Sequence, residues 1–175
     1  MSIKKIVVIG PESTGKSTLS EALARALNTI WVPEYARGYL ESLDRPYNED
    51  DQLQIAKGQL ASEDSLLPQA NKYLICDTDL YVLKVWGESK YGRCHRWILE
   101  QIAKRKYDLY LLTNIDVPWQ DDPLREHPTP EARLHFYNAY HDVVVNSGTP
   151  WANISGDEQQ RLDTALQAIT TYLKD

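Results

Sequence analysis

Gly10-Pro11-Glu12-Ser13-Thr14-Gly15-Lys16-Ser17 decides the fold, because the octet fits G-x-x-x-x-G-K-[ST] and lies between an apolar run and a segment of helical period. That placement, after a strand and before a helix, is what the motif needs in order to work. Gly10 and Gly15 let the backbone wrap closely around a phosphate chain. The N–H groups of Glu12, Ser13 and Thr14 and of the helix start at Lys16, Ser17 and Thr18 point at the anion. Lys16 is expected on the β- and γ-phosphates and the Ser17 hydroxyl on Mg²⁺. A bound nucleoside triphosphate is the first inference.

Outward from the loop, short β-branched runs alternate with longer helical-period segments, the pattern of a parallel sheet with helices on both faces. Strands are expected at 3–9, 29–32, 73–76, 109–113 and 151–154. Leu19, Ala22, Leu23, Ala26 and Leu27 give one apolar helical face ending near Asn28. Further helices are expected at about 49–65, 80–86 and 93–104, with a polar, irregular stretch from Pro33 through Pro46 to Asn48. Between Asp116 and Pro130 four prolines forbid a long regular element, which predicts a functional loop or lid at about 116–130. Thr129 and Pro130 read as N-cap and N1 of a helix to about Val145, and Asp157 caps a final helix.

At 175 residues the chain is about 1.2 times a typical domain of roughly 150, so one domain over 1–175 is expected. The 42% hydrophobic content, five Trp and eleven Tyr exclude disorder and allow an ordinary core. Nineteen Lys and Arg against twenty-five Asp and Glu leave a net charge of −6, which argues against nucleic acid as a partner. Cys76 and Cys94 have neither zinc spacing nor the density of a disulfide scaffold, and the apolar run at 3–9 is too short for a signal peptide or a membrane span. A cytoplasmic protein without membrane contact is expected.

The branch of P-loop protein follows by elimination. No glycine has Asp three positions before it, and Asn114-Ile115-Asp116 lacks the Lys of a guanine-reading motif, so a GTPase is disfavoured. A small kinase remains, which needs an acceptor site, a proton acceptor and cations around the transferring phosphoryl. Ligands of open α/β sheets bind beyond the carboxyl ends of the strands, where Glu34, Asp77 and Asp79 fall. In extended chain Asp77 and Asp79 would face one side and bring two carboxylates toward the metal and the acceptor hydroxyl. The alternatives are that Glu34 pairs with Arg37 at a helix start and that Asp79 is an N-cap. Arg125 and Arg133 suit a phosphate clamp, because guanidinium groups fork bidentately and stay charged. Trp119 is either a buried anchor or a plate for a flat ring. The basic stretch Lys90, Arg93, Arg96, Lys104, Arg105 and Lys106 reads as a solvated helix face, and Cys76 as core.

Together with the P-loop, Pro33-Glu34-Tyr35-Ala36-Arg37, Asp77-Thr78-Asp79 and Trp119-Gln120-Asp121-Asp122-Pro123-Leu124-Arg125 resemble the ribosylnicotinamide kinase domain of the NadR type. The resemblance runs from Ile6 to the last helix. It implies a five-stranded parallel sheet like that of nucleoside and nucleoside monophosphate kinases, and transfer of phosphate from ATP to the 5′-hydroxyl of nicotinamide riboside. It also implies Lys16 and Ser17 at phosphate and Mg²⁺, Glu34 with Asp77 or Asp79 toward the riboside and metal, and Arg125 in the lid. Gln59 takes a place where related kinases read the base; Arg37 and Asp122 belong to the same substrate segments. The alternative functions are a kinase for another nucleoside or mononucleotide, and a non-catalytic sensor of ATP and a pyridine nucleotide. Oligomeric state is not legible.

Overall fold

The computed structural model describes residues 2–174. β1 (Lys4–Ile9) leads through the P-loop into α1 (Lys16–Ala26), followed by β2 (Ile30–Val32), α2 (Tyr35–Glu41) and α3 (Glu49–Leu66). After a short 3₁₀ turn come β3 (Tyr73–Asp77), α4 (Leu80–Tyr91), α5 (Arg96–Lys104) and β4 (Leu109–Thr113), then α6 (Pro130–Asn146), β5 (Trp151–Ile154) and α7 (Glu158–Tyr172). All strand pairs are parallel and the order is β2-β3-β1-β4-β5. The chain leaves β1 for one edge, returns through β3 and crosses to β4. The carboxyl end of β1 therefore opens into the crevice where the order reverses, the usual ligand position in such sheets.

Both faces of the sheet are covered, so its central strands are apolar on both sides. Ile6, Val8, Ile75, Leu109 and Leu111 pack toward Leu19 and Leu23 of α1 and Ala165 and Ile169 of α7. Val7, Ile9, Leu74, Cys76 and Leu112 pack toward Val85 of α4 and Tyr140 and Val144 of α6. Ile55, Leu60, Leu83 and Ile98 join α3, α4 and α5 in a third cluster.

Three differences from expectation have local causes. The stretch after Pro33 is not irregular throughout: Glu34 stands at the N-cap position of α2 in an extended conformation, and Ala36, Tyr39 and Leu40 dock on the third cluster. Two turns are too short to show a period. Helix α4 continues to Tyr91, because its stop signal is Gly92 in the left-handed conformation, and α5 starts only at Arg96 behind His95 as N-cap. The basic stretch is not simply a solvated face. Arg93 forks onto Glu49 at the start of α3, and Arg105 reaches Glu63 and Asp64 farther along the same helix, although Arg96 does pair only within its own helix, with Glu100. Among the described residues no helix is long and apolar enough to cross a membrane.

Candidate active site

The P-loop takes its shape from alternating backbone handedness. Ser13 (φ 57°) and Gly15 (φ 77°) are left-handed and Thr14 between them is not, which turns successive N–H groups into one concavity. Gly10 passes so close to the end of β4 that a Cβ would lie 2.2 Å from Thr113 Oγ1. The Thr14 hydroxyl donates to the Pro11 carbonyl at 2.7 Å and shares a hydrogen bond with the Thr113 hydroxyl. Lys16 Nζ also donates to the Pro11 carbonyl, at 2.7 Å.

Two carboxylates meet at this end of the sheet. Asp77, the last residue of β3, accepts from the Ser17 hydroxyl at 2.5 Å through Oδ2, while its Oδ1 is buried without a hydrogen-bond partner. Burial raises its pKa, against the pull of the Ser17 bond and of Lys16. Glu34, just past β2, is raised by burial, lowered by Lys16 and raised again by Asp77. Glu34 lines a cavity of about 900 Å³ that runs from the P-loop past Arg37, Arg45, Tyr47 and Trp86 to Arg125 and Tyr140. That volume is at the upper end for small-molecule sites.

The segment between β4 and α6 contains neither helix nor strand and lies across the P-loop. The Glu12 carboxylate accepts from the backbone N–H groups of Glu126 and His127, each at 3.1 Å, and Ser13 Oγ accepts from Gln120 N–H at 2.8 Å. On the far wall Arg37 pairs with Asp122 at 2.8 Å, and the Glu126 carboxylate meets the Tyr47 hydroxyl and Lys90.

Not every residue singled out from the sequence reaches the cavity. Asp77 and Asp79 do not face one side, because Thr78 between them is left-handed (φ 71°) and the chain there is not extended. Asp79 caps α4 by accepting from Tyr81 N–H, and it takes the Tyr110 hydroxyl at 2.6 Å under the opposite side of the sheet. Burial pushes its pKa up to about 7. Trp119 lies outside the cavity, its indole N–H on Asp121 and its ring 5.9 Å from the guanidinium carbons of both Arg125 and Arg133. Arg133 does line the cavity, but it is largely buried and donates to the carbonyls of Ser13 and Val117. Gln59 is likewise buried; it accepts from Tyr35 N–H at 2.8 Å and so holds the residue next to Glu34, away from the cavity.

Sequence reasoning missed Arg161, whose guanidinium binds the Thr14 carbonyl of the P-loop and the carbonyls of Asn114 and Gly156; an arginine on a terminal helix gives no signal of this. It also missed Tyr47, which is far in sequence from Trp86 and Lys90 and meets them at the cavity wall, its hydroxyl accepting from Trp86 Nε1–H and Lys90 Nζ.

A parallel sheet of this order, with a P-loop at its central strand and acidic residues at the neighbouring strand ends, defines a P-loop protein of the nucleoside and nucleotide kinase type. The chain belongs to the AAA_28 family, described as an AAA domain, which matches residues 5–161. It is 26% identical over 162 residues to the trifunctional NAD biosynthesis/regulator protein NadR of Escherichia coli K12, covering 89% of this chain and 39% of that protein. A solved structure of NadR in complex with NR superposes with a TM-score of 0.78 at 26% identity, covering 97% of this chain and 51% of that one. Thymidylate kinase from Ehrlichia chaffeensis shares the fold, with a TM-score of 0.63 at 14% identity over 98% of this chain and 99% of its own. The chain thus spans about two fifths of the length of its curated NadR relatives.

Proposed function

We propose that this protein transfers the γ-phosphoryl group of ATP to the 5′-hydroxyl of nicotinamide riboside, giving nicotinamide mononucleotide. The observation that carries the reading is Glu34: a carboxylate raised by burial lines the cavity beside Lys16 and the P-loop, where an acceptor hydroxyl must lie to reach a γ-phosphorus. The likeness to NadR supports nicotinamide riboside as the acceptor. In the transfer the acceptor oxygen bonds to the γ-phosphorus as the bond to the β,γ-bridging oxygen breaks, ADP leaves, and Glu34 takes the hydroxyl proton. Because such transition states are loose, alignment and charge neutralisation contribute more than base strength. Lys16 and Arg125, which both line the cavity, supply cationic charge, with residues 116–130 as the lid. Ser17 and the unpartnered Oδ1 of Asp77 suit Mg²⁺, which would neutralise phosphate charge when bound. Among the described residues no group of three or more His, Cys, Asp or Glu could hold a metal, so an ion here would need the nucleotide's oxygens as well.

The test is ADP release with Mg-ATP across a panel of nucleosides and mononucleotides, with the product identified chromatographically. Nicotinamide riboside should give the highest kcat/KM and nicotinamide mononucleotide as product. Strong turnover of uridine, deoxyadenosine or a mononucleotide with none of the riboside would replace the acceptor. ATP and riboside binding without transfer would favour a sensor.

A further inference from the structure

We propose that Arg161, at the edge of the same cavity, is a positioning residue that sets the phosphate-binding geometry of the P-loop by fixing the peptide between Thr14 and Gly15. The residue is 4% exposed. Nε donates to the Gly156 carbonyl at 2.8 Å, one terminal nitrogen to the Thr14 carbonyl at 2.7 Å, and the other to the Asn114 carbonyl at 3.1 Å and to the Asp116 carboxylate. One guanidinium thus ties the P-loop to the chain leaving β4 and to the chain leaving β5. Asp116 completes the tie by accepting from Gly156 N–H at 2.7 Å.

The consequence follows from peptide geometry. A trans peptide is planar, so its C=O and N–H point in opposite directions. With the Thr14 carbonyl held on Arg161, the N–H of Gly15 must point the other way, into the concavity of the P-loop. Gly15 is left-handed, a region in which glycine has little intrinsic preference for one orientation, so an external tether has something to decide. Arg133 does the same one peptide earlier, at 3.3 Å from the Ser13 carbonyl, and more weakly. The Arg161 and Arg133 contacts at Asn114, Asp116 and Val117 also tie the base of the 116–130 segment to the same two peptides.

This assignment rests on the P-loop holding the β-phosphate, and the experiment separates the two ideas. ADP and AMP are titrated calorimetrically into the full chain, as wild type, Arg161→Lys and Arg161→Gln, with circular dichroism to confirm folding. Wild type should bind ADP more tightly than AMP. Arg161→Gln should weaken ADP about ten-fold, the effect of one misaligned charge-assisted hydrogen bond, and leave AMP within two-fold. Arg161→Lys, which keeps the charge but not the fork, should show a similar ADP-selective loss, and the KM for ATP should rise while the acceptor KM holds. Parallel weakening of ADP and AMP means that Arg161 touches the nucleoside and overturns the proposal, as does an unchanged ADP affinity in folded variants. If neither variant folds, Asp116→Asn, which loosens the guanidinium but leaves the three carbonyls, should weaken ADP about three-fold with AMP unchanged, and no ADP-selective change overturns the proposal. Wild type without preference for ADP over AMP refutes the P-loop reading itself.

Discussion

Replacing Asp51 by Asn should cost about 3 kcal/mol of stability and loosen the cavity wall at Arg45 and Tyr47, although Asp51 touches no part of the P-loop. Its carboxylate accepts from both terminal nitrogens of Arg45, at 2.7 and 2.9 Å, from the Tyr39 hydroxyl at 2.8 Å and from Asn48 N–H at 2.7 Å. The last is half of the capping box that starts α3. An exposed ion pair contributes about 1 kcal/mol or less, and Arg45 is 47% exposed. Adding about 1 for the cap and about 1 for the buried tyrosine bond gives the total. For a chain of this size that is a fall in Tm of roughly 6 to 12 °C. The Arg45 bond, first, then the Asn48 and Tyr39 bonds hold Asp51 well below the usual carboxylate range despite burial. A depressed folded pKa stabilises above the unfolded value, near about 3.9, and that stability is lost as pH falls below it. The difference between wild type and variant should therefore be flat from pH 5 to 8 and smaller by about 1 kcal/mol at pH 3. Urea unfolding at each pH measures it. A difference under about 1 kcal/mol at pH 7, or one that does not shrink by pH 3, would refute the reasoning. Because Arg45 and Tyr47 line the cavity, the acceptor KM should rise more than kcat falls.

Lys16→Ala should abolish transfer and leave the fold intact by circular dichroism; near-normal turnover would remove the nucleotide site from the P-loop. Arg125→Ala should lower kcat by roughly 10³ if the guanidinium acts on transition-state charge, whereas a pure KM effect in steady-state kinetics would mark a ground-state contact. Glu34→Gln should lower kcat by about 10² to 10⁴, the span of acid–base catalysis, with the KM for ATP little changed. Asp79→Asn should leave kcat within a few-fold and lower stability by about 1 kcal/mol in thermal melts, as expected of a cap rather than a proton acceptor.

The sheet was legible because its strands are short apolar runs with strong punctuation, and all five were located to within one residue at either end. The P-loop was legible because its chemistry is local: Gly10 to Ser17 form one continuous stretch from the end of β1 into the start of α1. What escaped was set by contacts between distant segments. Helix α2 depends on docking to the third cluster rather than on its own period. Asp79 takes the N-cap alternative rather than facing the same side as Asp77, because period-two reasoning holds only for extended chain and one left-handed residue, Thr78, turns its side chain away. Arg133, expected as a phosphate clamp, bonds the backbone carbonyls of Ser13 and Val117, a distinction that residue type alone does not carry.

The same attention to partners separates the surroundings of the three acidic residues. A proton acceptor must reach the open cavity, and a group that shapes the metal shell need only reach the helix start of the P-loop. Glu34 lines the cavity, whereas Asp77 is 2% exposed, lies behind Ser17 and has one oxygen committed to that hydroxyl. Asp79 has both oxygens engaged, on Tyr81 N–H and the Tyr110 hydroxyl, and lies under the sheet. Three carboxylates that look equivalent at strand ends are thus divided by one turn of backbone and one serine. Glu34 alone among them lines the cavity, and Gln59 braces the peptide beside it from α3.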